Sequence, residues 1–273
     1  MFSRLLNGYI LRVPELPDVE AFRRRLASNG LHRRISHLEV PDPTVLRGVS
    51  RQRLARALKG RELVRTRRHG KHLLVAVDDD GWLVLHFGMT GFLAFAGDGE
   101  SASAHPRLVL HLAGRRRMVY DDARRLGFVT MADDDEQYVA QGDLGVDALE
   151  VSRTGLRDLL AARRGAVKPA LMDQTMVAGI GNIYSDEILF QARVDPRRPA
   201  SGLDDATLGR VHRQIGRVLR MAADRGADPE RLPDSWLLPH REDGVPCPRG
   251  NGEIRSIRIS GRGAFYCPDC QSS

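Results

Sequence analysis

Apolar residues recur along this chain with two periods, and the change of period divides it. Val19, Phe22 and Leu26 fall three and four apart behind Pro14 and a cluster of acids, so residues 14–26 are expected to form a helix. From about residue 36 to 131 the pattern becomes short alternating or continuous apolar runs, at 72–77, 82–87, 108–112 and 117–120. Turn-forming stretches rich in Asp and Gly separate them, as expected of a sandwich or barrel-like β domain. Residues 133–145 are acidic and contain Gly, and read as a linker. Helical spacing returns from 152 to 225, with Leu156, Leu159 and Leu160 near its start and Leu208, Val211, Ile215 and Val218 near its end. A Gly-rich turn, 178–182, interrupts it. Residues 225–239 read as a loop, and the tail from about Glu242 as a two-stranded hairpin. There is no internal repeat.

The fold class expected is α+β: an N-terminal β-sandwich with a leading helix, then a helical region and a small β-ribbon tail. The expected boundaries are 1–13 for an extension, 14–132 for the β domain, 133–151 for a linker, 152–226 for the helical domain, 227–241 for a loop and 242–273 for the ribbon.

Charge narrows the class of partner. The 273 residues carry 42 Lys+Arg against 35 Asp+Glu, a net charge of +7. That surplus favours a polyanion such as nucleic acid, and equally fits an arginine-rich, well-solvated surface. Lysine occurs only at Lys59, Lys71 and Lys168. No run approaches the roughly 18 apolar residues of a membrane span. Residues 1–13 are too short and interrupted in their apolar stretch for a signal peptide, so a cytoplasmic protein is expected. The three cysteines, Cys247, Cys267 and Cys270, crowd one end, which points to a metal site or a reduced tail rather than a disulfide framework.

Six stretches carry candidate chemistry. They are Pro14-Glu15-Leu16-Pro17-Asp18-Val19-Glu20, Arg68-His69-Gly70-Lys71-His72, Leu85-His86-Phe87-Gly88-Met89-Thr90-Gly91, Asp122-Ala123-Arg124-Arg125-Leu126-Gly127, residues 174–187 around Gly179-Ile180-Gly181-Asn182, and the cysteine tail. Alone, each is ordinary: a capped helix start, a basic turn, a strand ending in glycine. Together and in this order they resemble the formamidopyrimidine-DNA glycosylase (Fpg/Nei) family, and its Fpg branch more than its Nei branch. Residues 174–187, the helix–two-turn–helix signature, are the most specific.

The resemblance implies a glycosylase/AP lyase that removes oxidised bases, formamidopyrimidines and 8-oxoguanine, from double-stranded DNA, acting as a monomer. It implies that Pro14, as an N-terminal secondary amine, attacks C1′ and forms an imine, followed by β- and δ-elimination. Such an amine titrates near pH 8 and is partly unprotonated at neutral pH. By resemblance Glu15 is the acid/base beside it, Lys71 contacts the lesion's phosphate, and Arg262 is the ribbon's phosphate-binding arginine. Met89, Arg124 and Leu126 fill the void left by the extruded base, with Leu126 standing where the family usually has Phe. His105 corresponds to a DNA-contacting histidine, with an exposed loop histidine as the competing reading. Asn182 corresponds to a phosphate ligand, helped by N–H groups and the helix dipole at the Gly-rich turn. Arg164 and Lys168 read as phosphate contacts or as solvated charges.

Four departures matter. Asp18 stands where the family has Glu, which shortens the arm. The ribbon pattern has Gly250 at the second of four cysteine positions, so zinc would rest on Cys247, Cys267 and Cys270 plus water or His240; a zinc-free ribbon held by packing is the other reading. Residues 225–241 lack the Gly-Thr-rich lesion-recognition loop, which counts against 8-oxoguanine and leaves formamidopyrimidines or oxidised pyrimidines as the expected lesions. Pro14 is preceded by thirteen residues and as an amide has no nucleophilic amine, so the expected functional start is residue 13, with Val13 decoded as Met and removed. The rival readings are a catalytically inactive relative that binds damaged or abasic DNA, and a general DNA-binding module.

Overall fold

The computed structural model describes residues 13–78, 81–97, 103–250 and 252–271. The extension expected at 1–13 lies outside the described residues except for Val13. The chain divides into two compact units: Asp18–Gly142 with the residues up to Pro14, and Glu15–Pro17 with Asp143–Ser273. Among the described residues no helix is long and apolar enough to cross a membrane.

The elements of the first part of the chain are α1 (Leu16–Asn29), β1 (Ile35–Glu39), α2 (Arg51–Leu58), β2 (Leu63–His69), β3 (His72–Val77), β4 (Trp82–His86), β5 (Gly91–Gly97), β6 (Pro106–Leu112), β7 (Arg116–Asp122), β8 (Phe128–Ala132) and α3 (Asp135–Gln141). The strands form two four-stranded antiparallel sheets, ordered β1-β6-β7-β5 and β2-β3-β4-β8. Leu73, Val75, Leu83 and Leu85 of one sheet share a buried cluster with Leu93, Leu108, Leu110 and Met118 of the other. The β-sandwich expectation is thus met, with Val19, Phe22 and Leu26 of α1 in the same core.

The continuous apolar run of β3 has a physical reason. Its alternate residues Leu74 and Ala76 join Trp82 and Val84 in a second cluster on the sheet's other face. A strand buried on both faces loses its polar alternation. Tyr138 of α3 packs against that second cluster. The segment read as a linker therefore contains a helix, capped by the Asp134 carboxylate, which accepts the N–H of Gln137 at 2.7 Å. The sequence reading also passed over α2, although Ser50 caps it and Leu54 and Leu58 are buried one turn apart. Burying each of those leucines contributes about 1.5–3 kcal/mol.

The remaining elements are β9 (Val146–Asp147), α4 (Arg153–Ala161), α5 (Val167–Leu171), β10 (Val177–Ala178), α6 (Asn182–Ala192), α7 (Asp205–Asp224), β11 (Arg255–Ile259) and β12 (Arg262–Tyr266). Leu156, Leu160, Ile188, Leu208, Val211, Ile215 and Val218 form the core of this unit, and the short pair β9–β10 is parallel. Residues 225–241 are more than a loop. Leu232, Trp236 and Leu238 are buried in that same core. The ribbon β11–β12 sits on α6 through Phe190, Leu237, Ile254, Cys247 and Cys267.

Candidate active site and nucleic-acid interface

In the β-sandwich unit, two turns at one sheet edge are clasped by one carboxylate. Asp122 is fully buried; its Oδ1 accepts the Thr90 hydroxyl at 2.6 Å, and its Oδ2 accepts the Gly127 N–H at 2.7 Å. The Thr90 oxygen in turn accepts the N–H of Arg124 at 3.0 Å. Gly88 has φ +55°, and a Cβ there would lie 2.4 Å from the nitrogen of Gly127, so only glycine lets the turns meet. Arg125 also takes a left-handed φ of 57°, between the exposed Arg124 and Leu126. Met89 and Leu126 are 37% and 48% exposed, which is unusual for large apolar side chains held on so rigid a base. The structure thus brings together Met89, Arg124 and Leu126. His105 joins the same edge: it is exposed, its N–H donates to Asp121 at 2.6 Å, and its carbonyl accepts the N–H of Asp122 at 3.2 Å. Asp122 and Thr90 lie within the stretches 122–127 and 85–91, yet nothing local in the sequence marks them as a clasp. A carboxylate five residues before a glycine is too common a pattern to identify a clasp.

Lys71 occupies the two-residue turn of the β2–β3 hairpin, after Gly70 at φ 54°. Around it the structure gathers His72 and His86, whose rings are 4.8 Å apart, with Phe128 stacked on His86 and Arg47 3.8 Å above Phe128. Burial, then His86 and other cations including Lys71, push His72 down to about 3. Burial and then Lys71 push His86 down to about 4. Both imidazoles are neutral near pH 7. His86 uses Nδ1 to accept the N–H of Gly88 at 3.2 Å, and so ties the Met89 turn to the Lys71 hairpin. Neither histidine stood out in the sequence as a positioning group.

In the second unit the start of α6 is already occupied by an anion of the chain itself. The Glu15 carboxylate accepts the N–H groups of Gly181 at 2.7 Å, Ile183 at 2.8 Å and Tyr184 at 3.2 Å. A Cβ on Gly181 would lie 2.4 Å from that carboxyl carbon, and one on Gly179 2.6 Å from Leu16. The glycines of this turn are therefore needed for the close approach of residues 15–16. This corrects the expectation that those N–H groups and the helix dipole serve a phosphate. Asn182 is half-buried at the first position of α6, and its Oδ1 has no hydrogen-bond partner among the described residues. Pro14, immediately before Glu15, is buried, and Asp18 lies in the first turn of α1.

Lys168 corrects a second expectation. Its side chain is 1% exposed; Nζ donates to Asp186 at 2.6 Å and to the carbonyl of Gly263 at 2.9 Å. It is not a solvated charge, one of its two readings, although it lines the same cleft as Arg262. Burial pushes its ammonium below the ordinary lysine value against the pull of Asp186. Arg164 and Arg262, by contrast, are exposed. Arg262 opens β12 and lines a cleft of about 290 Å³ with Pro169, Met172, Asp173 and Ser260. Arg164 lines a neighbouring cleft that shares Pro169, Asp173 and Ser260. Two guanidinium groups on one groove suit a polyanion.

The thiols of Cys247, Cys267 and Cys270 lie within 4.8 Å of one another, and Cys247 Sγ is 3.6 Å from Cys270 Sγ. Ligands of a tetrahedral zinc with Zn–S of about 2.3 Å are roughly 3.8 Å apart, so three corners of such a site fit. Burial and the neighbouring thiols raise Cys270 to about 12. His240 does not complete the group: its Nε2 is 2.8 Å from the carbonyl of Asp234, and among the described residues no fourth His, Cys, Asp or Glu joins the thiols. Gly250 has φ +79°, with open space where a side chain would stand.

Comparison with known proteins identifies the family and the fold. Residues 13–129 match the formamidopyrimidine-DNA glycosylase N-terminal domain and residues 144–233 the formamidopyrimidine-DNA glycosylase H2TH domain. The formamidopyrimidine-DNA glycosylase of Moorella thermoacetica is 36% identical over 260 residues, covering 90% of this chain and 95% of the relative. That of Pelotomaculum thermopropionicum is 31% identical over 273 residues, covering 95% and 99%. A solved complex of Lactococcus lactis Fpg with abasic-site DNA superposes with a TM-score of 0.86 at 28% identity, covering 95% of this chain and 100% of that one. A complex of the same protein with DNA containing N7-benzyl-Fapy-dG gives 0.85 at 27%, with the same coverage.

Proposed function

Because this chain belongs to the formamidopyrimidine-DNA glycosylase family, we propose that it is a base-excision-repair glycosylase and AP lyase acting on oxidised bases, formamidopyrimidines foremost, in duplex DNA. The observation that carries this reading is the Glu15 carboxylate, held by three N–H donors beside Pro14 in the chain. Generic DNA binding has no use for a buried, rigidly aimed carboxylate next to a proline.

In this reading Met89, Arg124 and Leu126 enter the duplex where the damaged nucleotide leaves it, and the Asp122 clasp keeps them from yielding. Lys71, His105, Arg164, Arg262 and Asn182 take phosphates. The Pro14 nitrogen bonds to C1′ as the bond from C1′ to the base breaks, and the base leaves with the electron pair and a proton. The Glu15 carboxylate takes the proton that the Pro14 nitrogen gives up and passes it to the sugar ring oxygen as the ring opens to the iminium. Loss of a C2′ proton then expels the 3′ phosphate, a second elimination expels the 5′ phosphate, and water releases the proline. This chemistry requires a free amine at Pro14, so the working form lacks residues 1–13. Zinc, if bound, would be held by the three thiols and would be structural, supplying no step of this chemistry.

Borohydride trapping tests the proposal on duplexes carrying an abasic site or a formamidopyrimidine. Protein beginning at Pro14 is expected to form a covalent adduct, and the full 273-residue chain is not. Tight binding to the damaged duplex without an adduct from either form would replace this reading with a non-catalytic lesion binder.

A further inference from the structure

The ribbon that carries Arg262 has an open edge. In an antiparallel pair alternate residues turn their N–H and C=O away from the partner strand. On β12 the outward groups include the carbonyl of Gly263 and the N–H of Phe265. Neither meets another strand: Gly263 accepts from Lys168 Nζ at 2.9 Å, and Phe265 donates to Asp186 Oδ2 at 3.2 Å. The two side chains are themselves paired at 2.6 Å, with side-chain exposures of 1% and 0%. Arg241, from the segment before the ribbon, donates to that same Oδ2 of Asp186 at 2.6 Å, and its guanidinium lies 4.9 Å from the Phe265 ring centre. One carboxylate thus joins α5, α6, β12 and the chain entering the ribbon.

We propose that Asp186, with Lys168 and Arg241, is the positioning element that holds the Arg262 hairpin on the helical unit, and that the hairpin keeps its place when no metal sits on the three thiols. A complete four-thiolate site normally fastens such a ribbon from within. Here one ligand position is glycine, while the fastening to α5 and α6 is made by the buried Lys168–Asp186 pair, which meets the outward Gly263 carbonyl and Phe265 N–H, with one Arg241 Nη added on Asp186. Charges this deeply buried persist only when paired and hydrogen-bonded, so the arrangement is selective for one seating of the hairpin. The consequence for DNA binding through Arg262 rests on the function proposed above; the seating of the hairpin does not.

Hydrogen exchange on the full chain separates the two. In the unaltered protein, β11–β12 amides are expected to exchange at rates within about threefold of each other with EDTA and with added zinc. In the double variant Lys168→Met/Asp186→Leu, which fills the space but leaves the β12 edge unmatched, they are expected to exchange at least about tenfold faster, with α7 amides unchanged. Should α7 also exchange faster, Arg241→Leu decides, because it removes one arm from outside the helical core; ribbon exchange is again expected to rise. Release of the unaltered ribbon by EDTA alone, or a ribbon equally protected in both variants, overturns the proposal. Affinity for an abasic duplex, measured in parallel, is expected to fall with ribbon protection. If the unaltered protein does not bind that duplex, the DNA reading fails while the exchange result still stands.

Discussion

The carboxylate of Glu15 accepts the N–H of Gly181 at 2.7 Å across 166 positions of sequence. That bond makes the Gly-rich turn a holder for the residue beside Pro14, with Ile183 and Tyr184 completing the grip. Gly181→Ala is therefore expected to act on catalysis by displacing Glu15, since its Cβ would overlap the carboxyl group. Single-turnover excision of a formamidopyrimidine should fall at least about 100-fold, as for Glu15→Gln, which removes the acid/base. A normal rate in Gly181→Ala would show that the grip on Glu15 is dispensable.

The Asp122 clasp and the side chains it presents should separate cleanly. Leu126 is half exposed, so Leu126→Ala is expected to change stability by less than about 0.5 kcal/mol while weakening abasic-duplex binding about tenfold. Gly88→Ala places a Cβ against the Gly127 backbone at a left-handed φ and should cost more than about 2 kcal/mol as well as binding. Chemical denaturation and fluorescence anisotropy on the two variants check both halves.

Two pH slopes of opposite sign are expected. His72 and His86 titrate at about 3 and about 4 in the folded chain and near 6.5 when unfolded. Between those values the unfolded state binds more protons, so their contribution is complete above pH 6.5 and is lost as pH falls. For His72 the loss by pH 4 is on the order of 3 kcal/mol. Glu187 runs the other way: burial raises it from 4.5 to about 7, so folding is progressively penalised as pH rises through that window. Thermal unfolding followed from pH 4 to 8 should show the acid-side loss shrink in His72→Phe and the neutral-side loss shrink in Glu187→Gln. Unchanged slopes in both variants would refute these assignments.

Restoring the missing ligand should change metal retention. Gly250→Cys has room for its side chain but must adopt φ +79°, which costs about 1 kcal/mol without metal. With zinc the fourth thiolate should offset that cost and slow release to a chelator at least about tenfold. Zinc release identical to that of the unaltered protein would mean that position 250 does not point at the thiols.

How much of this was legible beforehand follows from what each element depends on. The β3 run, the amphipathic spacing of α7 and the terminal hairpin were readable, because period and turn chemistry act over a few residues. The helices α2 and α3 were passed over, although Ser50 and Asp134 are ordinary caps. Both are short and lie among strands, and their apolar faces acquire meaning only from the sheets they cover. From sequence Lys168 reads as a phosphate contact or a solvated charge, and burial excludes the second. Its burial depends on Asp186, eighteen residues on, and on the Gly263 carbonyl, ninety-five residues on.

The sequence by itself determined the family, the order of the units and the residue types available to the site: a proline followed by an acid, a lysine in a hairpin turn, an asparagine directly after a Gly-Ile-Gly turn and three cysteines. These are properties of composition and local spacing, and they persist in an unfolded chain. Only the tertiary structure decided that the α6 N-terminus is filled by Glu15, that one buried aspartate clasps the Met89 and Leu126 turns, and that the ribbon is seated on Asp186. Each of those depends on donors and acceptors brought within 3.2 Å from separate parts of the chain. Burial then makes an unmatched polar group costly, and so selects the one arrangement in which these partners meet.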